Sequence, residues 1–368
     1  MPLGEVVDTQ SGLWTGKKGS LKNVGVIRNT NFTKDCTLDL SNLAYIDVEV
    51  KQLEKRTLYN GDIIIEKSGG SDTQPVGRVV LYEGDQELSY SNFTSRLRTK
   101  VGMDIIPKYL HKYLQKIYLD GETQRLQSQT TGIHNLDLKA YLKLPIPVPP
   151  REEQERIVRR LDLANEVVEK QKAELSELDA LASALFYASF GDPVSNPHHL
   201  KGENKSFEEC LNKSPKIKRK LKQSDYKEEG KYPVISQEQE FISGYTDNEE
   251  DVIRVEHPMV IFGDHTRHVK YVDFDFAVGA DGVKLLDTKP FINPKFFYYL
   301  LKCINIPSAG YSRHYKFLKE LTVFIPPLAE QEAFAKKVEA IEVEKARVRA
   351  SLADSEALLA SLLRSSFP

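Results

Sequence analysis

The residues of this chain best suited to chemistry are suited to contact rather than to catalysis. Gly263-Asp264-His265-Thr266-Arg267-His268 follows an apolar run and sets donors and acceptors on a loop tip. There Arg267 can engage guanine, and His265, Thr266 or His268 can hydrogen-bond to a base or a phosphate; the competing reading is a solvated turn. His265 and His268 are two metal-type ligands with no third at useful spacing, so no metal is expected. Tyr311, Ser312, Arg313, His314 and Lys316 join aromatic surface to cationic donors around Tyr315, which serves equally well as a core residue. Lys213, Lys216, Lys218, Arg219, Lys220 and Lys222 form the densest basic cluster, suited to neutralising phosphates and equally to a solvated loop. The first half carries weaker signals in polar loops at strand ends: Lys17 and Lys18, Arg28, Lys67-Ser68-Gly69-Gly70, and Thr131 with His134. Gly69 and Gly70 would let the backbone approach a phosphate closely.

Signatures of catalysis are missing from the sequence. An amino-methyltransferase needs an Asn/Asp-Pro-Pro-aromatic loop, whereas both Pro-Pro pairs here follow Val148 or Ile325 and precede Arg151 or Leu328. The nearest approach to a phosphate-cradling loop, Gly12 to Lys18, is one residue short and lacks the hydroxyl. Glu49-Val50-Lys51 has no suitably placed Pro-Asp to complete a nuclease motif. A net charge of -2 excludes a globally basic nucleic-acid binder but leaves room for a local one. Cys36, Cys210 and Cys303 lie far apart, which fits a reducing cytoplasm and argues against a disulfide framework or zinc ribbon. No secretory leader and no apolar run of membrane-spanning length is read, so a soluble cytoplasmic protein is expected.

The loops must be positioned by what lies between them. Val24–Arg28, Ala44–Val50, Asp62–Glu66 and Val76–Tyr82 read as strands, and Pro107–Leu119 as a helix. In the second half, Tyr232–Ser236, Met259–Phe262, Val269–Asp273 and Val283–Leu286 read as strands, and Asn293–Cys303 as the mirroring helix.

Between and after these domains come two long helices. Pro149-Pro150-Arg-Glu-Glu153-Gln154 opens a run with Ile157, Leu161, Ala164, Val168, Leu175, Leu178, Ala182 and Leu185 on one seam. Steps of three and four keep that seam facing a partner. The same pattern returns 177 residues later, from Pro326-Pro327, with Glu330 at the place of Glu153 and Gln331 at that of Gln154. Leu161 meets Val338, Leu175 meets Leu352 and Phe190 meets Phe367. Lys345 and Ser355 interrupt the second seam. The chain is therefore read as an internal duplication. Its expected segments are a first globular domain (1–148), a long helix (149–191), a second globular domain (192–325) and a closing helix (326–368). The two helices are expected to pair antiparallel, giving an α/β (α+β) fold with a pseudo-twofold repeat. About 40 residues of helix make a rod of roughly 60 Å, longer than one turn of B-DNA.

Leu144-Pro-Ile-Pro-Val-Pro-Pro-Arg-Glu-Glu-Gln154 and Leu321-Thr-Val-Phe-Ile-Pro-Pro-Leu-Ala-Glu-Gln331, each ahead of a heptad helix, closely resemble the specificity subunit of type I restriction–modification systems. The resemblance extends to Phe262–Arg267, Phe274–Gly282 and Gly310–Lys316 and covers essentially the whole chain. It implies a non-catalytic DNA reader with two target-recognition domains for the halves of a split double-stranded target. It implies two methyltransferase subunits docked on the helices and a restriction/motor subunit beyond them. S-adenosylmethionine, ATP and Mg then belong to those partners, and this chain needs no cofactor. The expected docking corners are Pro150, Glu153 and Gln154, and Pro327, Glu330 and Gln331. Two alternatives stay open: the same role in a type IIB-like system, and a coiled-coil assembly adaptor without a DNA role.

Overall fold

A computed structural model describes the chain except residues 15–18, 72–73, 131–132, 196–197, 199, 308–309, 311 and 368, and the side chains of 129 and 130. Two compact units result, Met1–Lys170 with Leu352–Pro368, and Gln171–Ser351. Both boundaries fall inside long helices, so neither unit coincides with one of the segments read from the sequence.

In the first unit, α1 (Leu3–Val6) leads into β1 (Val7–Ser11) and β2 (Leu21–Ile27). Then come β3 (Ala44–Glu49), α2 (Val50–Arg56), β4 (Ile63–Glu66), β5 (Ser68–Gly70), β6 (Val79–Leu81), β7 (Leu88–Tyr90) and β8 (Thr94–Thr99). After α3 (Pro107–Leu119) follow β9 (Gln127–Thr130), β10 (Ile133–Leu136) and α4 (Leu138–Tyr141). One antiparallel sheet has the order β1-β8-β4-β6; beside it lie β3-β2-β7, in which β2 and β7 run parallel, and β5-β10-β9.

Period-two alternation along β4 makes the layers. Ile63 and Ile65 face a core built with Tyr109, Leu110 and Leu114 of α3, whereas Ile64 faces Ile27, Leu88 and Tyr90 of the neighbouring sheet. The helical side of that core is closed by Ile157 and Leu161 from the start of α5 (Arg151–Phe190) and by Leu363 and Phe367 from the end of α8 (Leu328–Ser365) and its tail. The Phe367 ring sits 5.4 Å from those of Tyr109 and Tyr113.

The second unit repeats the plan. It contains β11 (Glu203–Ser206), β12 (Tyr232–Ile235), β13 (Gly244–Thr246), β14 (Val252–Ile253), β15 (Met259–Gly263), β16 (Val269–Val272), β17 (Phe276–Val278) and β18 (Val283–Leu286). Helices α6 (Pro294–Cys303) and α7 (Tyr315–Lys319) and strand β19 (Thr322–Ile325) complete it. Sheet β16-β15-β18 stands where β6-β4-β8 stands in the first unit, and β13-β12-β17 where β3-β2-β7 stands, again with one parallel pair. Val260 and Phe262 of β15 face the helical core, and Met259 and Ile261 the neighbouring sheet. Here the end of α5 supplies Phe186 and Phe190 and the start of α8 supplies Phe334 and Val338. Phe190 packs 5.1 Å from Phe296 and 5.4 Å from Phe334. Within each unit the start of one long helix thus lies against the end of the other, an antiparallel pair.

The seam departs from its expected membership in three ways. Phe186, not Leu185, is the buried residue near the end of α5. Gln154 and Gln331 are members, both fully buried. Lys345 is buried rather than a plain interruption: its Nζ lies 3.0 Å from Asp179 Oδ1 and 3.1 Å from Glu342 Oε1, so the ammonium enters the seam paired.

Among the expected strands, β2 starts at Leu21 and β6 shortens to Val79–Leu81, and the short helix α2 continues directly from β3. Helix α6 starts at Pro294 because Asn293 caps it, its Oδ1 accepting from the amides of Lys295 and Phe296.

Candidate nucleic-acid interface

In each unit, four segments gather around the loop that follows one central strand, β4 in the first unit and β15 in the second. In the first unit the loop after β4 is tied on three sides. The amides of Lys67 and Ser68 donate to Phe93 O at 2.9 and 3.2 Å, and the Leu136 amide donates to Lys67 O at 2.8 Å. Asn29, after β2, donates from Nδ2 to Ser68 O at 2.6 Å, and Ser68 Oγ donates to Asn135 Oδ1 at 2.6 Å. Lys67 Nζ reaches Ser11 Oγ at 3.2 Å, and partial burial holds its pKa below the ordinary lysine value. The fourth segment arrives at Leu13, whose amide donates to Tyr90 O at 2.9 Å in an isolated parallel bridge to Ser91. Gly12 permits this approach, since a Cβ there would lie 1.9 Å from Ser91 O.

A buried ion pair fixes the floor. Arg78 Nε and Nη2 donate to Glu66 Oε2 and Oε1 at 2.8 and 3.0 Å, and Nη1 donates to Phe32 O at 2.9 Å. The bidentate pair fastens the turn at Asn29–Phe32 to β4.

The second unit builds the same cluster from different residues. The Asp264 amide donates to Gly282 O at 2.7 Å, as Lys67 does to Phe93, and the His314 amide donates to Asp264 O at 2.8 Å, as Leu136 does to Lys67. Gln237, after β12, takes the place of Asn29: its Oε1 accepts from the His265 amide at 3.1 Å and its backbone oxygen from Thr266 Oγ1 at 2.5 Å. Gly282 lies so close that a Cβ would stand 2.4 Å from Gln237 Oε1, and its φ of +92° is one that glycine supplies freely. Leu221 bridges Gly279 in parallel and donates to Val278 O at 2.9 Å, the counterpart of Leu13 and Ser91.

The predicted contact residues divide accordingly. His265, Thr266, Arg267 and His268 lie on the loop after β15, with Arg267 and His268 exposed. Arg267 adopts a positive φ of 63° and donates from Nη1 to Ile306 O at 2.9 Å, so the backbone there is held in the left-handed region. Arg313 and Lys316 are exposed and Ser312 is half-buried. Lys218 and Arg219 are exposed and Lys220 half-buried just before the Leu221 bridge, which brings the basic stretch to the loop cluster. Arg28, Lys67 and Ser68 are half-buried in the first cluster, and Gly69 is exposed with φ +101°. Lys17, Lys18, Thr131 and Tyr311 lie outside the described residues.

Five expected contacts are corrected. His314 is buried, with Nδ1 3.0 Å from Asp264 O, so it anchors the loop from behind. His134 is buried in β10 opposite Gly70, which is itself buried, so neither faces a ligand. Gln154 and Gln331 cannot dock a partner, because each is enclosed and hydrogen-bonded within its own unit. Pro150, Pro327 and Glu330 remain exposed, and Glu153 is half-buried beside Arg156. Sequence reasoning placed Asn29 beside Arg28 in a polar strand-end loop but missed Gln237, Trp14 and Phe93 as members of the clusters; only the strand ends that carry them could have pointed to them. Among the described residues no group of three or more metal-type ligands is found, and no helix is long and apolar enough to cross a membrane.

Two units carry loop clusters of one plan and different composition, which defines the chain as an internally duplicated α/β protein with two long helices. The chain belongs to the family of the type I restriction modification DNA specificity domain, whose model matches residues 1–178 and 203–347. It is 24% identical over 378 residues to a protein described as the type I restriction enzyme MjaX specificity subunit of Methanocaldococcus jannaschii, covering 92% of this chain and 85% of the relative. Its fold resembles the crystal structure of the type I restriction-modification S subunit from M. genitalium, with a TM-score of 0.53, 15% identity, and coverage of 100% of this chain and 95% of the other. It also resembles a chain in a structure concerned with complex assembly and conformational transition of the type I R-M system, with a TM-score of 0.51, 15% identity, and coverage of 100% and 96%.

Proposed function

We propose that this specificity subunit reads a bipartite double-stranded DNA target, one half with each loop cluster, and carries two methyltransferase subunits and a restriction/motor subunit on the long helices. The chain itself performs no chemistry; S-adenosylmethionine, ATP and Mg serve the partners, and the complex works in the cytoplasm. Functionally, segments 1–148 and 192–325 are the recognition domains and 149–191 and 326–368 the spacer and dock. Pro150, Glu153, Pro327 and Glu330 stay as docking corners, and Lys17, Lys18, Thr131 and Tyr311 as contacts.

One observation carries this reading: the same backbone clasp, Lys67 to Phe93 and Leu136 to Lys67 in one unit and Asp264 to Gly282 and His314 to Asp264 in the other, holds a loop whose outward side chains differ. A shared frame with unlike contents is what two readers of unlike half-sites require. Methylome sequencing of cells carrying this chain, with substitutions confined to the second cluster, tests it. Arg267→Ala or Lys218→Ala should relax or abolish one half of the methylated motif and leave the other intact. Equal loss of both halves, or methylation without a split motif, would overturn it. A gel shift of the assembled complex across a salt series should show affinity falling steeply with salt.

A further inference from the structure

The only tryptophan of the chain, Trp14, is 63% exposed and stands on the rim of a hollow of about 170 Å3 in the first unit. The floor is apolar, made by Leu13, Val26 and Val48, and the rim carries Arg28 and Asn92. Asp47, also on the rim, is held by Asn23 Nδ2 at 2.9 Å. Arg28 Nη2 reaches Asn42 O at 3.5 Å, and its Nε meets no acceptor among the described residues. Trp14 follows Leu13, the residue that bridges the strand-end loop at Ser91, so the hollow adjoins the loop cluster. In the second unit the position after Leu221 is Lys222, and the ring beside Leu221 is that of Tyr226, half-buried and packed on the apolar cluster rather than left mostly exposed.

An indole left mostly in water beside an apolar floor and a guanidinium held by one long hydrogen bond fits a ligand with a flat face, a methyl group and an adjacent acceptor. Among base edges in the major groove, thymine alone offers a methyl group beside a carbonyl oxygen, and its paired adenine offers the N6/N7 edge that an asparagine amide matches. We propose that this hollow reads one A·T pair of the first half-site, with the thymine 5-methyl on the Leu13/Val26/Val48 floor against Trp14. Arg28 then donates to thymine O4 and Asn92 pairs with adenine. The inference rests on the DNA-reading role proposed above.

The test uses the full chain assembled with its methyltransferase subunits and duplexes of its own target in which each thymine in turn becomes deoxyuridine. Loss of one methyl contact should weaken binding roughly fourfold at one position of one half-site. That penalty should vanish in Trp14→Ala, which should bind the natural target no better than the wild type binds the deoxyuridine duplex. The duplex substitution leaves the protein unaltered, so misfolding of the variant cannot mimic it. Specific binding with no sensitive thymine, with a penalty equal in wild type and Trp14→Ala, or with no A·T pair in either half-site would overturn the inference and leave the DNA-reading role standing. Absence of specific DNA binding by the wild-type complex would overturn both.

Discussion

Gln154 and Gln331 make the same three hydrogen bonds in the two units, 177 residues apart. Gln154 Nε2 donates to Asp104 O at 2.8 Å and Pro149 O at 2.9 Å, while Oε1 accepts from the Ile106 amide at 2.8 Å. Gln331 Nε2 donates to Phe291 O at 3.1 Å and Pro326 O at 2.8 Å, and Oε1 accepts from the Asn293 amide at 2.8 Å. Both donors and the acceptor of one amide are used to join the Pro-Pro corner, the entry to the short helix and the first turn of the long helix. Gln154→Ala should therefore strand three partly buried backbone groups, at about 1–3 kcal/mol for each left without water. Urea unfolding should show a loss of at least about 2 kcal/mol, with faster amide exchange at Ile106; a change under about 0.5 kcal/mol would contradict the clasp.

Glu66→Ala tests the floor of the first loop cluster. It leaves the buried Arg78 guanidinium without its carboxylate, and breaking a buried pair in this way typically costs about 3–5 kcal/mol. The first unit should be destabilised by an amount of that order in denaturant titration. A methylome from partly active protein should lose definition in one half of the motif only.

His111 makes unit stability depend on pH. Its ring is buried on α3, with Nε2 3.4 Å from Val79 O, and burial, reinforced by Lys112, lowers its pKa from 6.5 to about 4. Between these values the unfolded chain binds the proton and the folded one does not, so stability falls as pH drops from about 6.5 toward about 4. Above that window both states are neutral and the contribution is complete. The difference in urea midpoint between wild type and His111→Gln should narrow progressively across that window as the wild type is acidified; a constant difference would reject the assignment.

Heptad insertion tests the spacer. Seven residues inserted both after Lys170 and after Ser351 respect the packing inside each unit. The added helix is about 10 Å, close to three base pairs of B-DNA. The gap between the two halves of the methylated motif should grow by about that much, and an unchanged gap would refute the proposed role of the helices as spacer.

The sequence alone carried the duplication. Heptad steps from Ile157 onward and their return from Phe334 are local patterns, readable because helix periodicity and Pro-Pro starts need no knowledge of distant residues. The short helices α3 and α6 were legible for the same reason, each with a proline at its first position. What the sequence left open was the side on which each polar residue falls. Gln154 beside Glu153 looks like surface, and His314 between Arg313 and Tyr315 looks like a contact. Both are enclosed because chain segments far away supply their hydrogen-bond partners: Ile106 lies 48 residues from Gln154, and Asp264 50 residues from His314. Burial of a polar group is tolerable only where such partners converge. That convergence belongs to the tertiary structure, as does the meeting of Asn29 with Ser68 and of Gln237 with His265 that gathers scattered strand ends into two loop clusters.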